Sequence, residues 1–291
     1  MVRGAACAML AVCALFRLVG FMTEPWLTDD EIHRVAGEPF RFDRSTRPPG
    51  ALKVVTWNIE RGVRFEEILE TLRALGPDLI LLQEVDRGCR RSGGRDVARS
   101  LADALGMNWV SAGEFQEIGE GLNGAPALTS QAILSTTRID DPAVIVFREQ
   151  ARWRWRLSPS QPRRGGRIAL RVRIAGSLIY DVHVESGGNT ALRRRQLEDV
   201  LIDQAHAAAG AVIIAGDFNN TAAGGLAILD AMKAVGFAHV PGTDHGQTSI
   251  RHRHPIDWIF QKGNGRAEGH IEHAANISDH YPVVATLTRS D

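Results

Sequence analysis

The stretch VIIAGDFN, residues 212–219, places four apolar residues directly before a Gly, an Asp, a Phe and an Asn. A short apolar run of this kind is typical of a buried strand. A carboxylate at its end, that of Asp217, is costly unless it is paired, bound to a metal or exposed at the edge of a sheet. Rigid α/β scaffolds place catalytic groups at strand ends. The stretch therefore predicts a buried central strand with a functional residue at its end.

The same arrangement recurs elsewhere in the chain. Asn58 and Glu84 each stand at the end of an apolar stretch, and Asp279 and His280 stand directly before one. One such case is usually a solvated strand end, but four cases that all involve Asn, Asp, Glu or His favour a common site. Oxygen ligands such as Glu84, Asp279 and Asn58 suit a hard cation, Mg²⁺ or Mn²⁺, better than zinc.

One histidine and one further acid stand inside apolar stretches. His183 lies in YDVHVE, residues 180–185, where the alternation of a strand puts it on the same face as Asp181 and Glu185. Asp257 lies in PIDWIF, residues 255–260. A buried Asp needs a partner, and orienting a catalytic imidazole is one use for such a carboxylate.

The distribution of apolar runs predicts one domain after an extension. The sequence RPPG at residues 47–50 is typical of a lead-in to a domain, so we predict an N-terminal extension over residues 1–50 and a catalytic domain over residues 51–291. Strands are predicted at residues 53–59, 78–85, 131–135, 144–147, 167–174, 178–184, 211–218, 256–261 and 282–288, and helices at residues 65–75, 96–105, 192–209 and 226–235. Buried strands with helices between them predict a layered or sandwiched α/β domain.

Composition limits the function only weakly. Lys plus Arg and Asp plus Glu both total 34, so the formal net charge of zero does not demand a polyanionic partner. Residues 1–22 combine a basic start with an interrupted apolar run, which fits a signal segment, a terminal helix or an overextended start. The location, cytoplasmic or exported, depends on that choice. We expect a monomer without a stable protein partner.

The ordered motifs resemble those of the endonuclease/exonuclease/phosphatase superfamily over about residues 53–289. The motifs are Trp57-Asn58-Ile59, Gln83-Glu84, His183, Gly216-Asp217-Phe218-Asn219, Ile256-Asp257-Trp258 and Ser278-Asp279-His280. Each motif alone is weak, whereas the ordered set is specific. The resemblance implies a four-layered α/β sandwich, with two mixed β-sheets flanked by helices and the site at one edge. It also implies hydrolysis of phosphate esters with Mg²⁺ or Mn²⁺.

The resemblance implies a metal site formed by Asn58, Glu84 and Asp279. Glu60 follows Asn58 by two residues, and Glu185 stands where the family usually has an Asp after its histidine. We expect Glu60 and Glu185 next to the ligands and catalytic groups rather than among them.

The resemblance also implies the catalytic groups. Asp217 and Asn219 would bind and orient the attacking water and the phosphate. His280, held by Asp257, would be the general base or a group that stabilises the phosphate. His183 would contact the phosphate and support the developing charge or the leaving group.

Substrate contacts are predicted in two basic segments. The turn RRGGR at residues 163–167 makes Arg164 and Arg167 candidates for binding phosphate, with a plain surface hairpin as the alternative. The polar loop at residues 243–254 contains two arginines and three histidines, and is expected to border the pocket and to bind an anion.

Three substrate classes remain open after these observations. We expect a phosphodiesterase or nuclease, with nucleic acid as the first candidate. The alternatives are a phosphomonoesterase, a lipid phosphodiesterase of the same fold, or a non-catalytic binding module. Trp153 and Trp155 fit either stacking on bases or a lipid surface, or a half-buried strand.

Overall fold

A computed structural model describes residues 24–42, 51–151, 162–187, 189–207, 209–243, 246–263, 265–273 and 277–289. The possible signal segment at residues 1–22 and the Trp153 and Trp155 pair lie outside these ranges. None of the described helices is long and apolar enough to cross a lipid bilayer.

The described strands form two mixed sheets. The first sheet has the order β1 (Ala36–Glu38), β4 (Asn108–Glu117), β5 (Leu128–Ser135), β3 (Leu79–Arg87), β2 (Ala51–Arg61), β14 (Val283–Arg289) and β13 (Gly265–Ile271), with β7 (Arg163–Gly165) also paired to β4. The second sheet has the order β11 (Ala238–His239), β12 (Asp257–Lys262), β10 (Val212–Asp217), β9 (Ser177–His183), β8 (Ile168–Ile174) and β6 (Asp140–Val146). One pair in each sheet is parallel, β2 with β3 and β9 with β10.

Helices cover the outer face of each sheet. The helices are α1 (Asp29–Ile32), α2 (Phe65–Leu75), α3 (Val97–Leu105), α4 (Thr190–His206) and α5 (Ala222–Ala234). Side chains of α2 and α3 form one apolar cluster with the first sheet, and side chains of α4 and α5 form another with the second sheet. A third cluster fills the space between the sheets. These three interfaces define the four layers that the sequence predicted.

The uninterrupted apolar strands have a physical reason in this layering. In β2, Val54 packs between the sheets, whereas Val55 packs under the helices. In β10, Ile213 packs between the sheets, whereas Ile214 packs under the helices. Because both faces of such strands are buried, residues 79–82 of β3 and 212–215 of β10 are apolar at every position.

The predicted strands are present with shifted ends, but the prediction missed β4. All ten residues of β4 are buried, and polar and apolar residues do not alternate along it. The strands β1, β7, β11 and β13 were also missed. Since β1 pairs with β4, part of the predicted N-terminal extension packs on the first sheet. The domain boundary at residue 51 stays a prediction.

A polar contact joins the two sheets near their common edge. The Nε2 of Gln83 on β3 donates to Oδ1 of Asp181 on β9 over 2.6 Å, and lies 3.1 Å from Thr56 Oγ1. Asp181 is fully buried, and its Oδ2 has no hydrogen-bond partner among the described residues. Burial raises the pKa of Asp181 well above its usual value. Burial therefore disfavours the ionised form of the Asp181 carboxyl.

We predict that Asp181→Asn becomes progressively more stable than the wild type as the pH rises from 5 to 7. The pKa of Asp181 is raised in the folded state, so the wild type loses stability from this group once the pH exceeds the ordinary pKa of Asp. The loss is at most about 1.4 kcal/mol per pH unit, and the neutral Asn avoids it. Urea unfolding at each pH measures the difference in the free energy of unfolding. A difference that is constant or shrinks with pH would contradict the raised pKa of Asp181.

Candidate active site

A cavity of about 350 Å³ lies at the edge of the sandwich, where the C-terminal parts of β2, β3, β9 and β10 meet. The predicted site residues in its wall are Asn58, Glu84, Arg167, His183, Asp217, Asn219, Asp279 and His280. The structure thus brings together residues that are up to 222 positions apart in the chain, as between Asn58 and His280.

Asp217 lies at the centre of this group. Its Oδ2 accepts a hydrogen bond from Asn58 Nδ2 at 3.3 Å and lies 3.5 Å from His183 Nε2 and 3.8 Å from His280 Nε2. Its Oδ1 accepts a hydrogen bond from the backbone N–H of Asn219 at 2.9 Å. One carboxylate therefore orients an amide and faces both imidazoles.

Gly216 permits this placement of Asp217. Its φ is +144°, and a Cβ at this position would lie 1.9 Å from the carbonyl oxygen of Val182. Only glycine tolerates such a close approach between β10 and β9. The register that results sets Asp217 beside His183 on one side and beside Asp257 on the other.

His280 is held by a carboxylate, as predicted. Its Nδ1 lies 3.0 and 2.9 Å from the two carboxylate oxygens of Asp257, which is fully buried at the start of β12. Burial alone would lower the pKa of His280, but the charges of Asp257 and Asp217 outweigh it and raise that pKa to about 10. These charges favour the protonated imidazole at neutral pH, and its Nε2 faces Asp217.

His183 also has a buried carboxylate partner, and sequence reasoning missed it. Its Nδ1 lies 3.1 Å from Glu114 Oε2 and 2.7 Å from Arg167 Nη1. Arg167 in turn donates from Nη1 to both oxygens of Glu114, at 3.2 and 3.1 Å. Burial raises the pKa of Glu114, but the charges of His183 and Arg167 outweigh it and lower that pKa. Glu114 stands in the polar stretch SAGEFQE, residues 111–117, and not in an apolar run like that of Asp257, so the same signal does not reveal it.

Glu84 presents an ionised carboxylate to the cavity. It has a φ of +52° at an irregularity of β3, and 26% of its side chain is exposed. Burial raises the pKa of Glu84, but nearby cations, first Arg61 with its Nε at 3.9 Å, outweigh it and lower that pKa to about 2. Asn58 and Asp279 line the same cavity. This set of oxygen donors fits a hard divalent cation.

A second group of side chains also has the geometry of a metal site. Ligand atoms of Asp217, Asp257 and His280 all lie within 4.8 Å of one another. However, both oxygens of Asp257 lie within hydrogen-bonding distance of His280 Nδ1. These two residues already form a pair, so the partly exposed carboxylate of Glu84 is the more open ligand.

Three other predicted residues, Glu60, Glu185 and Arg164, do not line the cavity. Asn58 Oδ1 accepts a hydrogen bond from the backbone N–H of Glu60, and Glu185 is fully buried below the start of α4. Arg164 stacks over Trp26, with its guanidinium carbon 4.8 Å from a ring centroid, and takes no part in the wall. Arg167 does line the cavity, but its charge is shared with Glu114. Their predicted roles stay predictions.

Other polar side chains complete the wall. The loop before β12 contributes Arg251, His252 and His254, which agrees with the prediction that this loop borders the pocket. Residues 244–245 of that loop lie outside the described ranges. Helix α4 contributes Arg193.

Comparison with known proteins agrees with the motifs. Residues 55–280 match the family described as "Endonuclease/Exonuclease/phosphatase family", whose name denotes enzymes that hydrolyse phosphate esters. No curated protein matches the chain.

Solved structures show the same fold at low identity. A Beutenbergia cavernae endonuclease/exonuclease/phosphatase is 20% identical, with a TM-score of 0.60 over 83% of this chain and 72% of its own. The catalytic domain of human Nocturnin is 17% identical, with a TM-score of 0.57 over 84% of this chain and 100% of its own. Truncated TDP2 from Caenorhabditis elegans is 17% identical, with a TM-score of 0.54 over 82% and 98%. Since the family match spans more than half of the chain, this protein belongs to the endonuclease/exonuclease/phosphatase family.

Proposed function

We propose that this protein is a divalent-metal-dependent phosphoesterase that hydrolyses phosphodiesters, with nucleic acid as the first candidate substrate. One observation carries the proposal. The cavity combines the ionised carboxylate of Glu84 with two imidazoles, His183 and His280, each of which has its own buried carboxylate partner. A binding module would have no need for this costly arrangement of buried charges.

We propose Glu84, Asn58 and Asp279 as the residues that hold Mg²⁺ or Mn²⁺. Carboxylate and amide oxygens are suitable ligands, and all three side chains reach the cavity. When bound, the cation supplies Lewis-acid neutralisation of charge on the phosphoryl oxygens. Arg251, whose Nη2 lies 3.1 Å from Asp279 Oδ2, would have to share that carboxylate with the cation.

The chain's own residues would divide the remaining chemistry. Asp217 orients the attacking water and accepts its proton, while Asn219 helps to position the phosphate. The charges of Asp257 and Asp217, which raise the pKa of His280, favour a role for its imidazole as a hydrogen-bond donor to a phosphoryl oxygen over a role as general base. His183, held through Nδ1, presents Nε2 to the phosphate or the leaving group. Fixed donors of this kind stabilise the charge that develops in phosphoryl transfer.

We predict turnover of at least one substrate in a panel of plasmid DNA, RNA, sphingomyelin, inositol phosphates and bis(p-nitrophenyl) phosphate. Activity should require Mg²⁺ or Mn²⁺ and should be lost with EDTA. The variant Glu84→Gln is the matched control, because it keeps the shape of the side chain and removes its charge. Equal activity in that variant would reveal a contaminating phosphatase or a wrong site. If no substrate is hydrolysed with either metal, the proposed function is wrong. If only monoesters or only lipid are hydrolysed, the protein is a phosphomonoesterase or a lipid phosphodiesterase instead.

A second prediction concerns the pair of Glu114 and His183. Glu114→Gln should lower kcat/KM by about 10- to 100-fold, because the imidazole loses the group that orients it. The double variant Glu114→Gln, His183→Ala should be no slower than His183→Ala alone, since the two residues act as a unit. Glu117→Gln is the matched control, because Glu117 is a buried acid on the same strand that pairs with Arg163 outside the cavity. Additive losses would show that Glu114 acts independently of His183.

A further inference from the structure

Three layers of the sandwich contribute side chains of different charge to the cavity wall. Glu84 comes from the first sheet, and His183 and Asp217 come from the second sheet. Arg193 comes from α4, in the helical layer beyond the second sheet. The proposed metal ligand and Arg193 therefore reach the cavity from opposite sides of the layer that carries His183 and Asp217.

Arg193 is a buried cation that is held by neutral groups. Only 6% of the residue is exposed, and its guanidinium donates to the carbonyl oxygens of Glu185 at 2.8 Å and Ser186 at 3.1 Å. No carboxylate in the described parts of the chain forms an ion pair with it. Burial disfavours the charge and lowers the pKa of Arg193, in spite of opposing influences from Glu185 and Asp217. A buried charge that forms no ion pair is costly, so this site favours an incoming anion.

Within the described ranges, the two arginines that follow Arg193 on α4 both form ion pairs, unlike Arg193. Arg194 is 61% exposed and pairs with Glu198 at 3.3 Å, and Arg195 pairs with Glu149 at 2.6 Å. Of these three consecutive arginines on α4, Arg193 alone lines the cavity.

Two helix N-termini meet beside Arg193. Thr221 caps α5 and Asn189 caps α4, each by accepting a hydrogen bond from a backbone N–H of its helix. A Cβ on Gly224 would lie 2.9 Å from Thr221 Oγ1 and 3.1 Å from Thr190 Oγ1, so the two helix starts are in contact. The start of α5 reaches the cavity wall, so the positive end of that helix dipole adds to the charge of Arg193. Thr221 itself lines the cavity.

We propose that Arg193 and the start of α5 form a second anion subsite, which binds a phosphoryl group of the substrate other than the one hydrolysed. The inference rests on the proposed function and narrows it to phosphate esters that carry a second phosphate close to the reacting one, such as a 5′-phosphorylated dinucleotide. The cavity volume of about 350 Å³ is more than ten times the volume of about 30 Å³ that one water molecule takes in the liquid. The cavity therefore has space for two phosphoryl groups.

A binding experiment tests the subsite without metal or turnover. Inorganic phosphate is titrated in EDTA at constant ionic strength into the wild type, Arg193→Gln and Arg194→Gln, and followed by calorimetry. Arg193→Gln should weaken binding by about tenfold or more, the loss expected for charge-assisted hydrogen bonds. Arg194→Gln, with the same charge change on the same helix, should stay within about twofold of the wild type. Equal losses in both variants, or no phosphate binding by the wild type, would overturn the subsite.

Arg193 also supports the backbone before α4, so thermal unfolding of each variant must be checked. If Arg193→Gln does not fold, Arg193→Lys replaces it, because it keeps the charge but loses the planar fork. Phosphate affinity should then still fall by about threefold or more, since a lysine cannot reproduce the geometry. An unchanged affinity in a folded Arg193→Lys would overturn the assignment.

Kinetics separate failure of the subsite from failure of the proposed function. With Mg²⁺ or Mn²⁺, Arg193→Gln should raise KM for a 5′-phosphorylated dinucleotide by about tenfold more than KM for bis(p-nitrophenyl) phosphate. Equal changes in KM for both substrates would mean that Arg193 contacts the reacting phosphate, which overturns the second subsite alone. If the wild type turns over neither these esters nor any other, the proposed function fails, and the metal-free titration still decides the anion site.

Discussion

The carboxylate of Asp217 has to be held at the end of a fully buried strand, within 3.8 Å of two imidazoles and an amide. Charges in such a place destabilise a protein unless each has a partner. The fold meets this requirement by giving each imidazole a carboxylate on its far side, Asp257 for His280 and Glu114 for His183. The geometry of the site follows from this pairing of buried charges.

Both sheets are needed to complete the pairing. Glu114 belongs to the first sheet and His183 to the second, so the contact between them forms only when the sheets pack against each other. The contact between Gln83 and Asp181 spans the same space. The assembly of the proposed catalytic groups is thus coupled to the packing of the two sheets.

The sequence predicted the central strands and most of the cavity wall, because apolar runs that end in Asp, Asn or Glu signal both at once. The run before Asp217 shows this most clearly. The prediction missed β4 because its polar side chains are satisfied by distant partners. Glu114 pairs with Arg167 and His183, which are 53 and 69 residues away. No local sequence pattern predicts such pairs.

Partners that are distant in the sequence also determine the contacts of the basic residues. From the sequence, Arg164 and Arg167 form an open basic turn, but Arg164 stacks on Trp26 and Arg167 is neutralised by Glu114. Arg193 looks like one of three equivalent arginines on a helix, and only the fold distinguishes it. The sequence gives the type of each residue, but whether an arginine forms an ion pair depends on the residues that the fold brings next to it.

The most direct test of this account is the affinity of the purified protein for Mn²⁺, measured by calorimetry on folded wild type, Glu84→Gln and Asp257→Asn. We expect Glu84→Gln to weaken Mn²⁺ binding by about tenfold or more, and Asp257→Asn, which disturbs only the partner of His280, to weaken it much less. A larger loss in Asp257→Asn than in Glu84→Gln would place the cation among Asp217, Asp257 and His280, and would contradict the division between metal ligands and catalytic imidazole.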